Sequence, residues 1–170
     1  MPATPTELFD RLKNLGIETT TIEHPAVFTT DEAAAHCAHL PGAHCKSLFL
    51  KDRKGALWLV VTLDQRRLDM KALQELLGAA RLSFGKPDLM TEILGVTPGS
   101  VTPFALINDT GQQVTVALDR EMMAAEVANY HPLTNTMTTT ITPADLRTFI
   151  TSCGHIPREV DLSGMSAQID

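Results

Sequence analysis

The fold is decided by one stretch of sequence, Cys45-Lys-Ser-Leu-Phe-Leu-Lys-Asp-Arg-Lys-Gly-Ala-Leu-Trp-Leu-Val-Val-Thr-Leu63. Two apolar runs, Cys45–Leu50 and Ala56–Leu63, flank the polar turn Asp52–Gly55, and this pattern predicts a β-hairpin. The runs are apolar at consecutive positions rather than at alternate ones, which indicates strands buried on both faces. We therefore expect this hairpin to lie inside the core.

Helix and strand signals alternate on both sides of the hairpin. Helical spacing with capping residues predicts five helices: one from Thr6 to Gly16, one opening at Thr30 with Thr29 or Thr30 as its N-cap, one from Asp69 to Gly78, one from Pro87 to Gly95 and one over Pro143–Ile150. Strands are predicted at 17–23, Leu82–Phe84 and Met137–Ile141, and a second hairpin joins Phe104–Ile107 to Val114–Leu118. The mixture predicts an α+β domain over residues 1–170, with a mixed, largely antiparallel sheet, surrounding helices and an extended tail at 155–170.

Composition excludes several classes of protein. Of the 170 residues, 44% are hydrophobic and 20% charged, which is ordinary for a globular domain and excludes disorder as the main state. No apolar run approaches the ~20 residues of a membrane-spanning helix. Acidic residues interrupt the first twenty positions, so no signal peptide is expected. Three cysteines do not suggest a disulfide framework, and we expect a reducing, cytoplasmic location.

Charge is distributed unevenly along the chain. The net charge is −6, yet the stretch from Lys46 to Lys86 holds nine basic and four acidic residues, a local balance of +5. Such an asymmetry permits one basic face on an acidic protein, able to contact an RNA backbone. The alternative is that these side chains are ordinary solvated positions on helices and hairpins.

Two clusters of reactive side chains have weak spacing. Potential zinc ligands crowd into ten positions, but they lack the paired spacing of structural zinc sites: His36, Cys37, His39, His44 and Cys45. Histidines at the negative end of a helix and cysteines packed as small apolar groups explain that cluster better than zinc does. Cys153 and His155 follow the last predicted helix, and nothing in the sequence pairs them as nucleophile and base. We therefore predict neither a metal site nor a cysteine nucleophile.

Three further motifs carry polar chemistry. The loop Gly95-Val-Thr-Pro-Gly-Ser-Val-Thr-Pro-Phe104 can present successive backbone N–H groups to an anion or a developing oxyanion, or it is a tight turn. His131-Pro-Leu-Thr-Asn-Thr136 places a histidine before a strand, as a base, a donor or a structural residue. Lys46 opens an apolar strand and either reaches solvent or holds a positive charge in a pocket.

These segments together resemble a known family, the YbaK / prolyl-tRNA synthetase editing-domain superfamily. The resemblance covers about residues 5–155 and rests on ordered motifs: Pro25-Ala-Val-Phe-Thr-Thr30, Cys45-Lys-Ser-Leu-Phe-Leu-Lys-Asp52, the loop 95–104 and the segment 131–136. The freestanding alanine-editing branch, the ProXp-ala or PrdX type, is the most similar. The cysteine-editing branch favours Gly-Gly-Cys-Ser where this chain has Pro98-Gly-Ser-Val-Thr102. Relatives often carry Asn or Thr at Ser47, so a side-chain amide role there is not transferred.

The resemblance implies hydrolysis of alanine from mischarged tRNA(Pro), in trans to the synthetase. A proline pocket rejects the smaller alanine by only ~10–200-fold, so a second site is needed to remove the error. The expected partners are Ala-tRNA(Pro) and, transiently, prolyl-tRNA synthetase, with a monomeric protein and no cofactor, metal or membrane. The alternatives are a deacylase for Cys-tRNA(Pro) or another small aminoacyl-tRNA, and a non-catalytic module that binds aminoacyl-tRNA.

The resemblance also assigns roles to residues. Lys46 would hold the substrate carbonyl or the terminal phosphate, the backbone of Gly99 and Ser100 would stabilise an oxyanion, and His131 would position water or the terminal adenosine. The wall that limits substrate size would include Val27, Phe28, Thr29 and Thr30, and the pocket would also include Thr102 and Asn135. Candidate phosphate contacts are Arg53, Lys54, Arg66, Arg67 and Lys71.

Overall fold

The computed structural model describes residues 1–164, except for the side chain of Thr30. Its helices are α1 (Pro5–Asn14), α2 (Thr30–Cys37), α3 (Met70–Leu77), α4 (Pro87–Leu94), α5 (Arg120–Met123) and α6 (Pro143–Ser152). Its strands are β1 (Thr20–Glu23), β2 (Ala43–Asp52), β3 (Leu57–Leu63), β4 (Leu82–Phe84), β5 (Val114–Asp119), β6 (Ala128–Tyr130), β7 (Met137–Ile141) and β8 (Arg158–Val160). No helix in residues 1–164 is both long and apolar enough to span a membrane.

The strands form one mixed sheet in the order β1-β7-β6-β2-β3-β5-β8, with β4 paired to the far end of β2. Four pairings are antiparallel (β1·β7, β6·β7, β2·β3, β2·β4) and three are parallel (β2·β6, β3·β5, β5·β8). The fold class is therefore the predicted mixed α/β arrangement. The hairpin β2–β3 occupies the centre of this sheet, as its apolar runs predict.

Alternate side chains of β3 enter two separate cores, one on each face of the sheet. Leu57, Leu59 and Val61 pack in a large core with residues of α1, α4 and α6. Trp58 and Val60 pack in a smaller core with Leu73 and Leu77 of α3. Because helices cover both faces of this strand, six of its seven residues are buried.

The second predicted hairpin is wrong. Phe104–Ile107 lies in a 3₁₀ segment, Pro103–Asn108, which begins at a proline and is capped by the Thr102 side chain. Residues Phe104, Ala105 and Leu106 are fully buried in the core, and a short buried apolar run cannot be assigned to strand or helix by pattern alone. The following strand, β5, instead pairs in parallel with β3.

The predicted tail is partly a strand. Arg158–Val160 forms β8 and pairs in parallel with β5, and Leu162 beyond it is fully buried in the smaller core. Residues 165–170 of that predicted tail lie outside the described residues. The short elements α5 and β6 have no counterpart in the sequence prediction, because three- and four-residue elements carry too little periodicity to detect.

Candidate functional site

One cavity gathers most of the catalytic and pocket residues predicted from the sequence. It has a volume of about 150 Å³ and lies between α2, the start of β2, the 3₁₀ turn Pro98–Ser100 and the strands β6 and β7. Its lining includes seven of the predicted site residues: Val27, Phe28, Thr29, Lys46, Gly99, Thr102 and His131. A cavity of about this volume accommodates benzene, so the site fits a small acyl group.

Lys46 reaches into this site with its ammonium group anchored. Its Nζ donates a hydrogen bond of 2.5 Å to the main-chain carbonyl of Arg66. Burial lowers the pKa of Lys46 below its ordinary value, the carboxylate of Asp64 opposes that effect, and the charge of Arg67 adds to it. The lysine is therefore a fixed donor at the cavity wall rather than a side chain extended into solvent.

Arg66 is buried and paired through all three of its side-chain nitrogens, contrary to its predicted role as a phosphate contact. Its Nε lies 2.7 Å from the carboxylate of Asp119, which also accepts the hydroxyl of Thr62 at 2.6 Å. Its Nη2 lies 2.8 Å from Glu121, and its Nη1 donates to the carbonyl of Leu162 at 3.3 Å. With 8% of its surface exposed, Arg66 is not accessible to RNA, and its role is to hold the turn that carries the Lys46 acceptor.

The loop after α4 borders the cavity, and its main-chain N–H groups differ in whether they have an acceptor. The N–H of Ser100 donates to the carbonyl of Thr97 at 2.9 Å inside the 3₁₀ turn, and the residue is buried. Ser100 is therefore unavailable as an oxyanion donor. The N–H groups of Gly99, Val101 and Thr102 have no hydrogen-bond acceptor among residues 1–164, and all three residues line the cavity.

Gly99 lines the cavity at a position with little room for a side chain. A Cβ placed on it would lie 3.0 Å from Nδ2 of Asn135 and 3.0 Å from the ring of Phe28. Asn135 does not itself line the cavity: its Nδ2 donates to the carbonyl of Val27 at 2.8 Å. Asn135 therefore stabilises the main chain of Val27, a wall residue, and does not contact the cavity as predicted.

The predicted size-limiting wall contains residues of different character. Val27 is 2% exposed and is a true wall, whereas Phe28 is 71% exposed and lies at the rim. Thr29 is the N-cap of α2 and accepts the N–H of Glu32 at 3.1 Å, so its hydroxyl is used within the helix. The side chain of Thr30 lies outside the described part of the structure.

His131 has a defined tautomer. Its Nδ1 lies 3.0 Å from the carbonyl oxygen of Met137, and a carbonyl can only accept, so Nδ1 carries the proton. Burial lowers the pKa of His131, and the hydrogen bond to Met137 opposes this shift. At neutral pH the ring is uncharged, and Nε2 remains as a hydrogen-bond acceptor.

Several residues that line the cavity were not among the site residues predicted from the sequence. Cys45, Asp64, Asn129 and Tyr130 all line the cavity. Burial raises the pKa of the Cys45 thiol to about 12, so this cysteine is not a thiolate nucleophile. The hydroxyl of Tyr130 is buried, and its interaction with the Cys45 thiol lowers the pKa of that thiol by less than burial raises it. Nothing local in the sequence marks Tyr130, because its strand is three residues long.

The potential zinc ligands do not form a metal-binding group, although Cys37, His44 and Cys45 line the same cavity. The ring of His44 lies 3.2 Å from the carbonyl of Leu40, and Sγ of Cys37 lies 3.4 Å from the hydroxyl of Thr138. Within residues 1–164, no three His, Cys, Asp or Glu side chains converge on a point where a metal could bind.

The basic residues of 46–86 do not form a single face around the cavity. Arg53 and Lys54 occupy the β2–β3 turn, about 20–25 Å along the strand from Lys46. Arg67 is exposed and close enough to Lys46 to affect its pKa, and Lys71 is exposed in the first turn of α3. An RNA that contacts all of them must extend along the hairpin.

Comparison with known proteins identifies the family of this chain. The family model described as "Aminoacyl-tRNA editing domain" matches residues 24–149, which include every residue of the cavity wall. The chain belongs to this family. A "Prolyl-tRNA synthetase associated domain-containing protein 1" of Danio rerio is 45% identical over 153 residues, covering 89% of this chain and 83% of the relative. The "Prolyl-tRNA editing protein ProX" of Acetoanaerobium sticklandii is 31% identical over 153 residues, covering 89% and 93%.

Solved structures share the fold of this editing domain. A crystal structure of a candidate trans-editing enzyme for prolyl tRNA synthetase superposes with a TM-score of 0.72 at 22% identity, covering 95% of this chain and 98% of the other. The structure of the hypothetical protein APE2540 gives a TM-score of 0.72 at 20% identity, covering 92% and 99%. These likenesses establish the editing-domain architecture.

Proposed function

We propose that this editing domain is a trans-acting deacylase that removes alanine from mischarged Ala-tRNA(Pro). The observation that supports this most is the cavity itself, which combines benzene-like volume with main-chain N–H groups that have no acceptor among the described residues. An alanyl group fits such a space. The family membership and the printed function of the ProX relative support the same substrate class.

Hydrolysis here uses water rather than a protein nucleophile. The oxygen of water attacks the carbonyl carbon of the ester, and the carbonyl electrons move onto oxygen. The resulting oxyanion collapses, the bond to the ribose oxygen breaks, and that oxygen takes a proton derived from the water. The products are free alanine and uncharged tRNA. An aminoacyl ester is already activated, so this step needs positioning and charge stabilisation more than a strong base.

The main-chain amides of Gly99, Val101 and Thr102 stabilise the oxyanion in this mechanism. Removal of one such donor in known enzymes costs about 10²–10³ in rate. His131 accepts a hydrogen bond from the attacking water through Nε2, because its Nδ1 is committed to Met137. Lys46 supplies a positive charge to the ester or the terminal phosphate, held in place by the carbonyl of Arg66.

The tRNA backbone contacts exposed cations outside the cavity. Arg67 lies near Lys46, Lys71 is exposed in the first turn of α3, and Arg53 and Lys54 lie at the hairpin turn. Arg66 is excluded from this set because its guanidinium is buried and paired. The chain has a net charge of −6, so binding through these few residues is weak and salt-sensitive.

The test is hydrolysis of Ala-tRNA(Pro), Pro-tRNA(Pro) and Cys-tRNA(Pro) by the wild type and by Lys46→Ala. Rapid loss of alanine alone, abolished in Lys46→Ala and retained in the exposed control Lys13→Ala, supports the proposal. Loss of cysteine alone assigns the domain to cysteine editing. Binding of tRNA without hydrolysis of any ester overturns the enzyme assignment in favour of a non-catalytic aminoacyl-tRNA-binding module.

A further inference from the structure

The cavity lies along the edge of β2 rather than on one of its faces. Four consecutive residues, His44–Ser47, line it. Side chains alternate between faces along a strand, so a cavity lined by every residue must border the strand edge, where main-chain groups point. The main chain of β2 is therefore part of the cavity wall.

Hydrogen bonds show which residues of β2 point to which edge. The main-chain N–H and carbonyl groups of the even-numbered residues point to β3, since the carbonyl of His44 accepts the N–H of Asp64 at 2.8 Å. The main-chain groups of the odd-numbered residues point to the other edge. There the N–H of Ala43 donates to the carbonyl of Val127 at 2.9 Å, and the carbonyl of Phe49 accepts the N–H of Gly85 at 2.8 Å. Because this alternation is continuous in an antiparallel ladder, Ser47 also points to the second edge.

That second edge is interrupted where the cavity lies. Strand β6 pairs with β2 only at Ala43 and His44, and β4 pairs with it only at Leu50–Asp52. Between them, no strand of the described chain covers β2. The N–H and the carbonyl of Ser47 thus open into the cavity without a main-chain partner among residues 1–164. A half-buried strand edge of this kind is a template for another extended segment.

We propose that the aminoacyl group binds as a single added strand residue opposite Ser47. Its α-ammonium group donates to the carbonyl of Ser47, and its ester carbonyl accepts the N–H of Ser47, as in one hydrogen-bonded pair of an antiparallel ladder. The carbonyl oxygen of the ester can also accept a hydrogen bond from the N–H groups of the loop, since a carbonyl oxygen has two lone pairs. This inference rests on the proposed deacylase function and adds the subsite that recognises the amino acid main chain.

Charge in the cavity agrees with this orientation. Asp64 is the one carboxylate among the described residues that line the cavity, and it provides negative potential for an ammonium group. Lys46, adjacent to Ser47, provides the positive potential for the ester and phosphate side of the substrate. The pairing uses atoms common to all α-amino acids, so selection of alanine is left to Val27 and the rest of the wall. The site should therefore require a free α-amine.

Amide exchange in the wild type tests the proposal directly. The probe is a non-hydrolysable analogue in which an amide replaces the ester of 3′-alanyl adenosine, and NMR follows hydrogen exchange of the Ser47 N–H. We expect exchange to slow by about tenfold or more at saturation. The analogue without the amine, 3′-propionylamido adenosine, should bind more weakly. Unchanged exchange at Ser47 under saturating alanyl analogue overturns the proposal.

Kinetics separate this proposal from the proposed function. Ala-tRNA(Pro) hydrolysis by the wild type establishes the function, whatever Ser47 does. For propionyl-tRNA(Pro), which lacks the ammonium donor, the rate enhancement over its own uncatalysed hydrolysis should then be about 10- to 100-fold smaller than for Ala-tRNA(Pro). Ser47→Pro removes the N–H and should lower the rate about 100-fold, whereas Ser47→Ala keeps the N–H and should lose far less. Equal losses in the two variants, with equal rate enhancements for the propionyl and alanyl esters over their uncatalysed hydrolysis, would show that the edge is not used.

Discussion

The ammonium group of Lys46 and the main-chain carbonyl of Arg66 are joined by a 2.5 Å hydrogen bond. The acceptor is fixed because the side chain of the same arginine is locked by Asp119, Glu121 and the carbonyl of Leu162. The buried ion pair between Arg66 and Asp119 thus fixes the main chain that accepts the hydrogen bond from Lys46. A substitution at Asp119 should therefore disturb the position of the Lys46 ammonium group, although Lys46 itself is unchanged.

The two acidic partners of Arg66 should differ sharply in their effect on stability. Asp119→Ala leaves a buried guanidinium without its main counter-charge and should cost about 3–5 kcal/mol in the free energy of unfolding. Glu121 is 64% exposed, so Glu121→Ala should cost about 1 kcal/mol or less. Urea unfolding of both variants measures the difference. Similar losses in the two would mean that Asp119 is not the dominant partner.

Stability should depend on pH through Lys46. The pKa of Lys46 is lowered by burial, so between that lowered pKa and the ordinary value of 10.5 the unfolded chain binds more protons than the folded protein. Stability contributed by this residue should therefore rise with pH across that window. Unfolding free energies of the wild type and Lys46→Met, measured from pH 7 upward, should show the wild type gaining on the variant. A constant difference would contradict the burial of this ammonium group.

Gly99→Ala should impair hydrolysis more than folding. The new Cβ would press on Asn135 and Phe28 at 3.0 Å, and it would narrow the cavity beside N–H groups that have no acceptor within residues 1–164. We expect a loss of at least about tenfold in kcat/KM for Ala-tRNA(Pro), since a small misplacement of reacting groups is enough to slow catalysis by that much. Gly111→Ala is the matched control, because its Cβ would meet only Gln113 at 3.6 Å. Full activity in Gly99→Ala would remove the loop from the mechanism.

The exposed basic residues should differ from the buried Arg66 in how their replacement changes the salt dependence of tRNA binding. Replacing Arg67 or Lys71 with alanine should weaken tRNA binding and reduce the slope of log K against log salt by about 0.7–0.9 for each phosphate that is no longer neutralised. Arg53→Ala and Lys54→Ala test whether the RNA extends along the hairpin. Fluorescence anisotropy with labelled tRNA at several salt concentrations gives the slopes. An unchanged slope for a variant excludes that residue from the interface.

The central hairpin could be predicted because its signal is local and strong. Consecutive apolar residues in Cys45–Leu50 and Ala56–Leu63, with Asp52–Gly55 between them, allow few structures other than paired buried strands. The caps at Asp69 and Thr142 were predictable for the same reason, since the capping hydroxyl or carboxylate lies within three residues of its target N–H. Phe104–Ile107 failed because four apolar residues fit a buried 3₁₀ segment as well as a strand.

The candidate site was only partly predictable, since its decisive features join distant positions. Nothing in the local sequence distinguishes Arg66 from Arg67. Arg66 is the buried one because the fold brings Asp119, which is 53 residues later in the chain, against its side chain. Ser100 and Gly99 are neighbours, yet the 3₁₀ turn uses one N–H and leaves the other without an acceptor among the described residues. The gap at Ser47 depends on where β6 and β4 end, which no local pattern at Ser47 records.

The contact between Arg66 and Leu162 also has a consequence for synthesis on the ribosome. Chains emerge from the N-terminus, and domains fold as their segments become available. The cavity wall is complete in sequence by Thr138, but Arg66 gains its acceptor at Leu162 only after the last described strand has left the exit tunnel. A nascent chain that ends before this point lacks one of the contacts that fix the Lys46 acceptor. Lysine positioning is therefore finished only after Leu162 has emerged.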